Sequence, residues 1–588
     1  MTRRSLGAGG SGRPSRGWSR AITADIDLRL AVPAAAGWAS AAAAIGVRGA
    51  SAPSAVAAAA LALVSAGIAV RWAVRSRVPA STTATATASD GPRVRRRRSR
   101  RADAESGARF RRGAAALAVA AGVTAMVLGA AAAREPSRHP EILESAAHAD
   151  GTVVADAVVD EPPAPMASHS GKGAGSGAAR VRLVAHLTAV HVGREAGGRT
   201  VDETVRLPAP VPVAVFATGG GGRGGGSGVG RLGVGVVVRL SAAVHDADPG
   251  DRAAYLLLAR GAPEPVGDPV GPLGIADDLR SGLAGAAADL RGPGAQLLPG
   301  LAIGDVSAVT PALAQTMKDS SLTHLTAVSG ANCAVIVGLV LALAAAAGLR
   351  RPARAVAALA ALGAFVILVT PQPSVLRAAV MAAVLIVSTA SGRPSRGLPG
   401  LSLAVVVLLT SDPWLARDLG FALSVLATAG LLVLAPPLAE RLSRHLPRRL
   451  AEALAIPVAA QVACQPVLLV LQPGLPVHGV LANVLAEPAA APATIGGLVA
   501  CVVLPIWPAA GGLVLRLAWL PAAWIAAVAS VMSRLPAGRV PWASGPAGVI
   551  ALAVAIALVV AVVALGRPDP PRHPPGPVAG PVDVAPDG

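Results

Sequence analysis

The sequence predicts a polytopic α-helical membrane protein of about 11–12 spans, with a small extracytoplasmic β-barrel domain inserted after the third span. Three observations predict it. Hydrophobic residues make up 53% of the 588 residues and charged ones 14%, and mean hydropathy is +0.58, which is too apolar for a soluble chain of this size. Apolar runs of roughly 18 or more residues recur, the length a helix needs to cross about 30 Å of hydrocarbon, whereas a membrane barrel would alternate over segments of about 10 residues. One segment, residues 150–262, instead alternates apolar with polar residues between Gly/Pro-rich turns, as strands and hairpins do.

Along the chain, residues 1–30 are rich in Gly, Ser and Arg and are expected to be disordered. Residues 31–133 hold the first spans, at 31–48, 53–71 and 113–133. They enclose an arginine-rich loop, 72–112, in which Arg95, Arg96, Arg97 and Arg98 are consecutive. Such a block marks a cytoplasmic loop and can also touch anionic lipid. The expected topology therefore has a cytoplasmic N-terminus, Arg48 outside, and everything from about residue 134 delivered to the outer face of the cytoplasmic membrane. The net charge of +19 has two readings, loop bias or contact with a polyanion such as nucleic acid.

In the 150–262 domain, RVRLVAHLTAVHV from Arg180, TVRLPAPVPVAVFA from Thr204 and VGVVVRLSAAV from Val234 read as strands, and a five-stranded barrel is expected. Residues 271–322 carry short, mildly apolar helical patterns, read as interfacial helices. Nine spans follow over 323–566, and a proline-rich tail, 567–588, is expected to be disordered. Basic loops at 349–354, 391–397 and 440–450 fall inside; arginine-poor loops at 371–374, 411–418 and 471–479 fall outside. Cys333, Cys464 and Cys501 lie within spans without metal-ligand spacing, so neither metal nor cofactor is expected.

Several residues in the carboxy-terminal spans do not suit lipid. THLTAVSGAN, from Thr323, places His324, Ser329, Gly330 and Asn332 at the head of an apolar run. Irregular backbone at membrane depth is tolerated only when buried in protein or lining water, so a broken or re-entrant helix is expected. Ser329 and Asn332 can equally serve as packing contacts between helices. Arg377 lies one turn into a span, where snorkelling to the interface is the alternative to a polar passage. Asn483 and Glu487, four apart, are expected on one side of a helix, with Glu487 either in the passage or paired with Arg516.

Five ordered stretches then carry a resemblance: LLPGLAIGD (297–305), LTHLTAVSGAN (322–332), PSVLRAAVMA (373–382), DPWLARDLGFALSVLATAGLLVLAPPL (412–438) and NVLAEPAAAPAT (483–494). Together they resemble the competence domain of the ComEC family of DNA-uptake channels. The resemblance implies an OB-like outer domain and a channel at 323–566 that carries single-stranded DNA into the cytoplasm during natural transformation. It implies a DNA receptor outside, an ATP-driven motor inside, and a path near His324, Ser329, Gly330, Asn332, Ser374, Arg377, Asn483 and Glu487. Asp412, Trp414, Arg417 and Phe421 are expected to pack or to anchor at the outer interface. Many relatives read SGLHVG where this chain reads SGANCA, so Asn332 and Cys333 replace the familiar pair. Many relatives also end in a metallo-β-lactamase-like domain. No HxHxDH run occurs here, so the chain is expected to be no enzyme, with any nuclease a separate protein.

Arg180, Arg182, Arg194 and Arg206 are the outer-face candidates for DNA phosphates. Aromatic residues make up only 2%, which argues against base stacking and for backbone tracking or a structural domain. Two other classes stay open. A small-anion transporter would also use a discontinuous helix and an arginine. An intramembrane hydrolase would use Ser329 with His324, His445 or His478 as base.

Overall fold

A computed structural model of the chain describes residues 30–75, 93–166, 180–196, 199–218, 232–326, 330–369, 373–390, 397–536 and 538–565. The termini and the loop residues 76–92, on which the disorder and loop expectations fall, lie outside the described residues, as does Ser329.

The N-terminal part is α1 (Ala31–Ile45), α2 (Ser51–Arg75), α3 (Arg93–Arg138) and α4 (Glu141–His148). The arginine run was expected in a loop; α3 instead carries it in one helix with the third span, because Arg and Ala both favour helix. The sheet domain follows as β1 (Thr152–Pro165), β2 (Arg180–Ala196), β3 (Arg199–Thr218), β4 (Val237–Asp246), β5 (Tyr255–Ala259) and β6 (Glu264–Gly267). Then come α5 (Pro272–Ala288), α6 (Pro293–Ile303), α7 (Pro311–Asp319), α8 (Thr323–Thr326), α9 (Gly330–Ala346), α10 (Arg351–Val369), α11 (Pro373–Ala390) and α12 (Gly397–Ser411). A single-turn 3-10 helix, Pro413–Arg417, leads into α13 (Leu419–Val433), α14 (Ala435–Leu442) and α15 (Arg448–Leu471). The last elements are β7 (Leu475–Pro476), α16 (Gly479–Val503), α17 (Pro508–Arg534), β8 (Arg539–Val540) and α18 (Gly545–Leu565).

Among the described residues, six helical stretches are long and apolar enough to cross a membrane: Ser51–Ile68, Gly113–Arg138, Arg351–Val369, Arg448–Leu471, Gly479–Val503 and Pro508–Arg534. α13 and α14 together make a seventh, bent by 45°. The bend falls at Pro436 and Pro437, which lack an N–H and crowd the preceding turn. Five further apolar helices are shorter, which is why length and composition yield fewer spans than the sequence reading; four of them, α9, α11, α12 and α18, border residues outside the description.

Pairing in the sheet runs β1-β2-β3-β5-β4-β6, and β4 also pairs with β1. β3 and β5 are parallel and every other pair is antiparallel. The five-stranded barrel of the sequence reading is not what is found: β6 shares one edge of β4 with β5, giving a six-stranded curled sheet. β6 escapes a pattern search because four residues, one of them Pro265, cannot display alternation. The core is Val, Leu and Ala from alternate positions, with Leu143 of α4 closing one side. Tyr255 is fully buried, its ring edge-on to His139 at 5.6 Å, and burial pushes its hydroxyl up to about 12.

The sheet domain meets the bundle at one junction. Arg138 at the end of α3 donates to the carbonyls of Asp251 (3.0 Å) and Arg252 (2.8 Å), and its guanidinium lies 3.8 Å over the Trp414 ring. Trp414 Nε1 donates to Pro249 O at 3.3 Å, and Arg252 pairs with Asp412 at 3.5 Å. α6 is buried throughout its last two turns, packed among α16 and α17, so it is no interfacial helix.

Candidate functional site: buried polar groups in the bundle

Arg377 is the strongest chemical feature of the bundle. It is 5% exposed, which removes the snorkelling alternative. Its Nε donates to Ser424 Oγ and its Nη1 to Thr428 Oγ1, each at 2.7 Å, and Nη1 lies 3.4 Å from Met381 Sδ. Ser424 and Thr428 are four apart on α13 and therefore share a face. Thr428 donates its own proton to the Ser424 carbonyl at 3.0 Å, which turns a lone pair toward the guanidinium. Among the described residues no carboxylate is bonded to Arg377. Asn332 and Cys333, buried at the start of α9, lie on the helix packed against α11, and the Cys333 thiol is within electrostatic reach of the guanidinium.

A second polar group lies around α8, α15 and α16. Asn483 is 8% exposed; its Nδ2 donates to Gly479 O at 2.8 Å, and its buried Oδ1 has no partner among the described residues. Gln461 donates through Nε2 to Gln465 Oε1, and the buried Gln465 Nε2 has no partner among the described residues. His324 is exposed and engages the backbone of Ser321. Glu487 is also exposed, so it does not share the burial of Asn483: four residues advance a helix by about 400°, which leaves the second side chain rotated past the edge of the buried face. Arg516 is exposed, and among the described residues no ion pair joins it to Glu487.

The predicted path residues thus divide. Arg377 lies between a packing cluster of α9, α10 and α11 and one that includes α12 and α13, whereas the neighbours of Asn483 belong to one of α6, α16 and α17. Gly330 opens α9 and Ser374 lies in the first turn of α11. Trp414 and Asp412 sit at the junction with the sheet domain, and the fully buried Phe421 meets Trp38 edge-on at 5.4 Å. Arg417 is exposed, with its guanidinium against Gly46 and Gly250. Of the outer-face arginines, Arg182 and Arg206 are exposed; the side chains of Arg180 and Arg194 lie outside the description. The neighbouring face is not uniformly basic: Asp156 pairs with Arg239 (2.7 Å) and His191 (3.0 Å), and Asp160 with His186 (2.8 Å).

Sequence reasoning missed Ser424, Thr428, Gln461 and Gln465. The available signal was the i,i+4 repeat of a hydroxyl or amide inside an apolar helix, which aligns both on one face.

The fold and this polar interior define a multi-pass membrane protein. Residues 301–568, which contain both polar groups, match the family model described as Competence protein. That Competence domain supports a competence protein and implies a role in DNA uptake. No curated protein and no solved structure matches the chain.

Proposed function

We propose that this chain is the channel of the cytoplasmic membrane through which single-stranded DNA enters during natural transformation, with the N-terminus in the cytoplasm. The observation that carries the reading is Arg377, a buried cation inside the Competence domain whose partners among the described residues are two neutral hydroxyls and a thioether. An ionised group at membrane depth is costly and belongs to bundle interiors that handle charge. Hydroxyl partners satisfy the guanidinium geometrically without neutralising it, so its field is available to a passing phosphate. A carboxylate partner would cancel that field.

In this reading the bundle is closed, and passage requires helices to separate between the two polar groups. The sheet domain acts as an OB-like guide outside the membrane. Support comes from the β1-β2-β3-β5-β4 order with return to β1, a five-strand arrangement compatible with the partly open barrels that hold single strands. A DNA receptor hands the strand over outside, a motor draws it in, and a separate protein degrades the other strand. The chain itself performs no chemistry on DNA.

The test is chromosomal deletion in a competent strain, complemented with wild type or Arg377→Met, followed by import of fluorescent linear DNA. Import should vanish on deletion, return with wild type and stay low with the variant at equal protein level. Normal transformation of the deletion strain would refute the reading.

A further inference from the structure

Three loops converge at the end of the bundle that carries the sheet domain. Chain alternation places them there. Residues 412–418 hold the sheet domain through Trp414. The bent α13–α14 pair leads away from that end and α15 leads back to it, at 472–478. α16 and α17 repeat the excursion and return at 535–540. There β7 pairs with β8, Leu475 opposite Val540 and Pro476 opposite Arg539, and Val477 N donates to Gly538 O at 3.1 Å. The third loop, between α7 and α8, is tied in by Arg539, whose Nη2 donates to Gln472 Oε1 and to Lys318 O at 3.4 Å.

This clasp is cationic. Lys318 is exposed, and Arg539 Nε and Nη1 have no partner among the described residues. The adjacent carboxylate, Asp319, is turned back along α7 to accept from Gln315 Nε2 at 2.9 Å. Directly behind the clasp lies the amide group. A side chain at Gly479 would start 3.2 Å from Ser321 Cβ and 3.6 Å from Gln461 Oε1, so α16 lies close against the α7–α8 loop and α15 there. Gln465 and Asn483, both more than nine-tenths buried, each leave one polar atom here without a partner among the described residues. Such an unmade bond costs roughly 1–3 kcal/mol.

We propose that the clasp of loops 318–324, 472–479 and 538–540 is the entry of the strand's path, a binding site for the sugar–phosphate backbone of single-stranded DNA. Lys318 and Arg539 meet phosphates there. Gln465 and Asn483 lie one step deeper and gain their missing hydrogen bonds from the strand when the loops part. The site lies at the end of the bundle that carries the sheet domain, so the strand passes from one to the other on the same side of the membrane. This inference rests on the channel reading.

The test uses the full chain in phosphatidylcholine nanodiscs, where no anionic lipid competes, and a fluorescein-labelled 40-nucleotide oligothymidylate followed by anisotropy across a salt series. The double variant Lys318→Gln/Arg539→Gln should lower the slope of log affinity against log salt by about 1.4, since each phosphate contact on a single strand contributes about 0.7. Lys318→Gln alone, at an exposed position whose side chain makes no hydrogen bond or ion pair among the described residues, should lower it by about 0.7. Arg539→Lys should recover most of the slope lost in Arg539→Gln. Binding by wild type with an unchanged slope in all three glutamine variants would overturn the entry site and leave the channel reading standing. Wild type that fails to bind the oligonucleotide would overturn both, and DNA import by the deletion strain would locate the failure in the channel reading.

Discussion

Two buried arginines, Arg138 and Arg377, are almost equally enclosed, at 8% and 5% exposure, yet their surroundings are opposite. Arg138 has two carbonyls on Nη2, an aromatic face, and Asp412 close enough to act on its charge. Arg377 has two hydroxyls and a sulfur. The first arrangement sets a carboxylate, Asp412, in the field of the cation, as a structural fastening does. The second sets none there among the described residues. Burial alone therefore does not identify a functional arginine; the charges around it do.

The contrast can be broken by experiment. Arg138→Ala should have the largest effect, about 3–5 kcal/mol at the junction, because it strands the carbonyls of Asp251 and Arg252 and uncovers Trp414. Limited proteolysis should then cut between residues 247 and 254, and a resistant junction would mean the sheet domain is held elsewhere. Arg377→Met should lower DNA import about 10–100-fold, the equivalent of losing charge-assisted bonds of about 1.5–3 kcal/mol. It should leave thermal stability unchanged or higher, since an isostere no longer bears the cost of a buried charge. Loss of both import and stability would make Arg377 a second fastening. Smaller again, Ser424→Ala with Thr428→Val should destabilise by about 1–3 kcal/mol through the stranded guanidinium, and Arg377→Met in that background should restore stability. Failure of the restoration would detach the hydroxyls from Arg377.

The smallest effect concerns two carboxylates of β1. Asp156 is held below the usual carboxylate range, first by its hydrogen bond from Arg239 and then by that from His191. Its contribution is therefore present above about pH 4, the unfolded value, and lost as pH falls through the depressed one. Glu161 is pushed the other way by burial, so it opposes folding at neutral pH and ceases to as it protonates. Asp156→Asn should lower the midpoint of unfolding at pH 7 and Glu161→Gln should raise it, with both differences shrinking in acid. Equal shifts of one sign would contradict the assignment.

Much of this was legible in advance. Apolar length located the bundle, and the depth of Arg377 marked it as unusual, because both are properties of a single helix. The partners were not legible. Ser424 and Thr428 look like ordinary members of an apolar helix until α11 is laid against α13. The same holds for Gln461 and Gln465, whose role depends on the approach of Gly479 and Ser321 from other elements. In the other direction, the helical spacing of Asn483 and Glu487 promised a shared environment that the packing of α16 on α6 and α17 denied. β6 was hidden by its length, and the helical first half of α3 by the assumption that charge means loop.

α13 carries one further consequence. A side chain added at Gly430 would strike the Ala459 carbonyl at 2.8 Å and Ala463 Cβ at 2.7 Å, so α13 and α15 touch nearly backbone to backbone. Two residues upstream on the same rod, Thr428 accepts from Arg377, so the depth at which the hydroxyls meet the guanidinium is set by how closely α13 lies against α15.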